Sequence, residues 1–225
     1  SIIDKLGPED LTSVVFTGDN RKAQDFTNDK AKLLAALDKF NPGLAGYKFG
    51  TESFGVDVDG WFYQSSVRTL SNLADFLIAA PNRRKAVFYI SPGVPLDLQD
   101  AVPRKAPKPD DASQPPMSAA IDMRDLQDKT QEIFKRAQRS NVTIYPIDPT
   151  GAGGLRTYLS LRLDPRDPGS AAIIDRKIAA MNDFVALAAA NTGGRAVMNT
   201  GDFEPGITAA FAENASYYLI GFEPA

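Results

Sequence analysis

The hydrophobic pattern is clearest at Lys85-Ala86-Val87-Phe88-Tyr89-Ile90, an apolar run without polar alternation that halts at Ser91-Pro92-Gly93. A short run of this kind suits a strand covered on both faces, as in the middle of a parallel sheet. A buried helix is the other reading, and the length of the run and its Ser-Pro-Gly stop argue against it. Leu11 to Thr17 and Asn141 to Ile147 read as strands too, the second closed by Asp148-Pro149. Between them, apolar residues fall at helical spacing. Leu33, Leu34, Leu37 and Phe40 mark one helix, capped by Thr27 or Asn28 and stopped by Asn41-Pro42-Gly43. Val67, Leu70, Leu73, Ala74 and Leu77 mark a second, from Ser65 to Ala80. Further helices are predicted over Ile121–Arg139, about Ala171–Ala190, and Pro205–Glu213. Ile2–Leu6 reads as the last turns of a helix, Ala23–Phe26 as an edge strand, and Arg195–Met198 and Tyr217–Phe222 as short strands. Strands alternating with helices predict an open α/β sheet, with ligand sites beyond the carboxyl ends of its strands. In this chain that point is Ser91-Pro92-Gly93.

Three stretches break the pattern. Gly46 to Gly60 holds four glycines, three aromatics and the carboxylates Glu52, Asp57 and Asp59. Val94 to Pro116 holds six prolines and almost no large apolar residue. Gly151 to Gly169 is a second long excursion, opening on Gly151-Ala152-Gly153-Gly154. Loops of such length inside a domain are functional or disordered.

Composition narrows the chemistry. The 225 residues carry a net charge of −3 and no basic stripe, which argues against nucleic acid as a partner. No stretch approaches the roughly 20 apolar residues of a membrane-spanning helix. The absence of cysteine excludes disulfides and thiolate chemistry, and the absence of histidine excludes a Ser-His-Asp triad and most zinc sites. The chain opens on Ser1 rather than Met, so residues upstream are expected to have been removed.

Six segments, in order, resemble the von Willebrand factor A-related domains common in exported acidobacterial proteins. They are Gly7-Pro8-Glu9-Asp10; Phe26 to Leu34; Asn82-Arg83-Arg84-Lys85 with Ser91-Pro92-Gly93; Ala137 to Tyr145; Asn191 to Arg195; and Tyr217 to Pro224. The resemblance implies one domain over 1–225, a doubly wound, mostly parallel sheet with helices on both faces, interrupted by insertions at 94–118 and 151–169. It implies an exported location, secreted, periplasmic or on the cell surface, and a protein partner. It also implies that the first, central strand of the fold is missing from this chain. The Val14 and Val87 strands would then flank a slot to be filled by upstream residues or by a strand from another chain.

The superfamily's metal site takes an Asp-x-Ser-x-Ser loop, a Thr, and an Asp ending the strand that here is Val87–Ile90. Ser91 stands at that last position, followed by Pro92-Gly93, and no Asp-x-Ser-x-Ser occurs. A hydroxyl does not replace a carboxylate's charge. No cofactor is therefore expected, with Mg²⁺ or Ca²⁺ held only if residues upstream of Ser1 supply ligands, and none at the Ser91–Val94 turn. Thr51, Ser53 and Ser65 are alternatives for the Thr. Asp57 and Asp59 lack the spacing of a calcium loop and read as a solvated acidic loop. Asp148 ends a strand on the same rim as Ser91, where it either touches a ligand or organises the Asp-Pro-Thr-Gly turn. The Gly151–Gly154 run lacks the lysine and spacing of a phosphate loop, and it reads as a flexible loop.

The reading that follows is a non-catalytic protein-binding module whose rim comprises Ser91, Pro92, Gly93, Thr51, Ser53, Asp57, Asp59 and Asp148. The alternative is a structural or assembly subunit that associates with itself. An enzyme is the least supported class, since neither His nor Cys nor a phosphate loop is present. Limited proteolysis is expected to cut rapidly within 103–116 and to leave the core intact, because this proline- and charge-rich stretch buries too little apolar area to offset its ordering entropy. Resistance there in an isolated monomer would contradict this.

Overall fold

The computed structural model describes residues 1–17, 21, 23–40, 58–78, 84–96, 123–161 and 169–215. Among them the chain is mixed α/β, with six α-helices, four strands and a small parallel sheet. They fall into two compact units. One lies within Ser1–Leu73 and Leu96–Ile133, the other within Ala74–Pro95 and Phe134–Ala225.

In the first unit, a 3-10 turn over Ile3–Lys5 replaces the helix tail predicted at Ile2–Leu6. Strands β1 (Thr12–Val14) and β2 (Gln24–Thr27) pair antiparallel, with Thr12 opposite Thr27. β1 is shorter than the predicted Leu11–Thr17, and its register with β2 shifts between Thr12 and Val14. Helix α1 (Lys30–Asp38) is capped by Asp29, not by Thr27 or Asn28. The Asp29 carboxylate accepts from the Ala31 and Lys32 N–H groups at 2.9 and 3.3 Å. Thr27 is left to hold the Asp29 N–H, at 3.1 Å. Of the apolar positions read for this helix only Leu33 is buried, together with Ala36; Leu34, Leu37 and Phe40 are exposed. Phe40 stacks on Phe16 at 5.6 Å.

Helix α2 (Val58–Ile78) begins seven residues before the predicted Ser65, so Trp61-Phe62-Tyr63 is helical rather than a lead-in. Its early start removes Asp59 from the expected acidic loop. Val67, Leu70 and Ala74 are its buried stripe, and the Ser65 hydroxyl donates to the Thr17 carbonyl. Helix α3 (Met123–Arg139) buries Leu126, Thr130, Ile133, Phe134 and Ala137, a spacing of three and four residues that fits one helical face.

In the second unit, β3 (Lys85–Ile90) and β4 (Val142–Ile147) pair in parallel from Lys85 opposite Val142 to Ile90 opposite Ile147. Every residue of β4 is buried, whereas β3 is mostly half-buried and its Ile90 is 60% exposed. β4 is therefore the more deeply buried of the two strands. The reason is what lies on β4's far edge. Val197 forms a parallel bridge there, its N–H donating to the Pro146 carbonyl at 2.8 Å and its carbonyl accepting from the Asp148 N–H at 2.8 Å. This single bridge is all that the predicted Arg195–Met198 strand becomes.

Helix α5 (Ser170–Thr192) sets Phe184 against Tyr89 at 6.2 Å and against Phe134 at 5.9 Å. Helix α6 (Glu204–Ala215) sets Phe211 on Phe88 at 5.2 Å, and Phe88 stacks on Tyr145 at 5.5 Å. Successive strand residues point to opposite faces, so α5 and α6 cover opposite sides of β3. Helix α4 (Gly154–Ser160) begins inside the glycine run that was read as a flexible loop. It forms because Leu155 and Leu159 pack with Ile174, Met181 and Ile178 of α5. The strand predicted at Tyr217–Phe222, most of the 94–118 insertion, and Thr51, Ser53 and Asp57 lie outside the described residues.

Two of the described glycines are required by close approach to backbone. A Cβ on Gly93, whose φ is +95°, would meet the Met181 carbonyl oxygen at 2.5 Å. A Cβ on Gly194 would strike the Ile144 carbonyl oxygen. Gly93→Ala and Gly194→Ala are each expected to lower unfolding free energy by more than about 2 kcal/mol in denaturant titration. Gly201→Ala, with open space around it, is expected to stay within about 0.5 kcal/mol. Equal effects at all three positions would contradict this packing.

Candidate functional site

The carboxyl ends of β3, β4 and the Val197 bridge come together on one rim of the second unit. Ser91 N–H donates to the Ile147 carbonyl at 2.9 Å, one residue beyond the β3 ladder. Asp148 N–H is tied to Val197 on the other side. The turns that follow are thereby held side by side: Ser91 to Pro95, Asp148 to Gly153, and Met198 to Asp202.

Each turn is organised by its own side chains. The Ser91 hydroxyl accepts from the Gly93 N–H at 3.1 Å, which closes the Ser-Pro-Gly turn. The Asp148 carboxylate accepts from Thr150 twice, from its N–H at 2.9 Å and from its hydroxyl at 2.7 Å, both at Oδ1. The Thr200 hydroxyl accepts from the Asp202 N–H at 3.1 Å and donates to the Asp202 carbonyl at 3.0 Å. Asn199 takes a left-handed φ of 55° between the bridge and that turn.

The rim therefore gathers four of the residues expected there, Ser91, Pro92, Gly93 and Asp148. It presents them less openly than a binding surface predicts. Asp148 is 2% exposed, Gly93 is buried, and Ser91 and Pro92 are half-buried. The exposed positions are their neighbours Pro149, Asn199, Gly201 and Asp202. Asp59 falls at the start of α2, in the first unit. Thr150, Asn199 and Thr200 were not singled out from the sequence. The signal for Thr150 lay in Asp148-Pro149-Thr150-Gly151, since an Asp commonly bonds the backbone two residues on.

The electrostatics of this unit are modest. Burial pushes the Tyr145 phenol above its usual value; Arg84 opposes this, Glu213 adds to it, and Arg195 opposes it more weakly. It lies mid-strand rather than on the rim. Arg195 is paired with Glu213 through Nε at 2.9 Å and Nη2 at 2.5 Å. Among the described residues no group of three or more His, Cys, Asp or Glu side chains is placed to hold a metal ion, and no helix is long and apolar enough to cross a membrane. Neither protein-family models, nor curated proteins, nor solved structures yielded a match to this chain.

Because both hydrogen bonds from Thr150 end on a single carboxylate oxygen of Asp148, an amide at this position can accept them equally well. Asp148→Asn is expected to unfold within about 1 kcal/mol of the parent, and Asp148→Ala to cost about 1–3 kcal/mol by leaving the Thr150 donors unmatched. Equal losses in the two variants would show that the charge, not the hydrogen bonds, holds the turn.

Proposed function

We propose that this chain is a non-catalytic protein-binding module of an exported protein, built on a doubly wound sheet of the von Willebrand factor A-related kind. Its partner surface is the rim formed by Ser91–Pro95, Asp148–Thr150 and Asn199–Asp202. The observation that carries this reading is the convergence of three turns at the carboxyl ends of neighbouring parallel segments, where open α/β sheets place their ligands. The rim's side chains are spent on holding the turns, which suits a preformed surface better than a reacting centre. The absence of His and Cys from the whole sequence removes the usual general base and nucleophile.

A second reading is favoured by one feature. The ladder alternates, and the Ser91–Ile147 bond fixes its phase. The N–H and C=O groups of Val87 and Tyr89 face β4, while those of Ala86, Phe88 and Ile90 face the opposite edge. No strand pairs with that edge among the described residues. An assembly subunit whose sheet is extended by a strand from another chain would use it.

A photo-crosslinking residue placed in turn at Pro149, at Asn199 and at the exposed Asn141, which precedes β4 at its other end, separates these readings. In the exported fraction of the source cells, rim binding gives one adduct of the same mass from Pro149 and Asn199 and none from Asn141. That adduct is expected to weaken at least tenfold in Asp148→Ala, which removes the acceptor that closes the middle turn. Adducts from Asn141 alone would overturn the rim, and oligomers of the chain itself would favour assembly.

A further inference from the structure

We draw no further inference here: the strongest candidate, the exposed apolar patch of Tyr158, Leu161 and Ile173 on the α4–α5 arm, carries nothing because nothing in the structure shows what covers it.

Discussion

The second unit depends on the backbone of β4 being satisfied along both edges. Toward β3 it makes a six-residue parallel ladder. Toward the other side no full strand lies among the described residues, and two hydrogen-bonding devices with a close-packed glycine take its place. The Ile144 N–H donates to the Thr192 hydroxyl at 2.9 Å, and that hydroxyl donates onward to the Ala188 carbonyl at 2.7 Å, so the end of α5 stands in for a strand. Val197 bonds Pro146 and Asp148. Gly194 brings the intervening loop against the Ile144 carbonyl, where no side chain fits. A buried strand with unmatched groups would lose roughly 1–3 kcal/mol for each of them, so these contacts are conditions of the fold.

Pro146 fits the same account. Proline cannot donate to a ladder and is rare inside central strands. Here its missing N–H falls on the Val197 side, where only an isolated bridge is made and only the Pro146 carbonyl is needed. The rim follows from this arrangement. Because β4 is anchored on both sides up to Asp148, its following turn is fixed beside the turns after β3 and after Val197. Asp148 and Thr150 close the middle turn, and Ser91 closes the one after β3. Buried side chains set the shape, and the exposed Pro149, Asn199 and Asp202 form the outer layer.

Much of this order was legible in the residues. The long helices over Met123–Arg139 and Ser170–Thr192 follow from clear apolar periodicity, and both parallel strands from short apolar runs. Which strand is more deeply buried was not legible, because Lys85–Ile90 and Val142–Ile147 are equally apolar. The difference comes from distant residues, Thr192 and Val197, that no local pattern connects to β4. Helix α4 was hidden for a related reason: glycine-rich Gly151–Gly154 argues for a loop, and the helix forms through Leu155 and Leu159 packing on α5. The exposed face of α1 shows the converse, since helical spacing at Leu34 and Leu37 gave no sign that they would remain uncovered. Of the candidate site, Ser91 and Asp148 were legible as strand-ending residues, but their burial was not. It arises from hydrogen bonds within each turn.

The central claim is that, among the described residues, β4 is the inner strand and β3 an edge strand, and amide hydrogen exchange followed residue by residue tests it most directly. The account predicts slow exchange at Ile144, Tyr145, Ile147 and Asp148, which are bonded on one side of β4 or the other, and at Val87 and Tyr89. It predicts much faster exchange at Ala86, Phe88 and Ile90, whose N–H groups face away from β4. Protection at Ala86, Phe88 and Ile90 equal to that at Val87 and Tyr89 would contradict it, because a further strand would then lie on that edge and β3 would be interior.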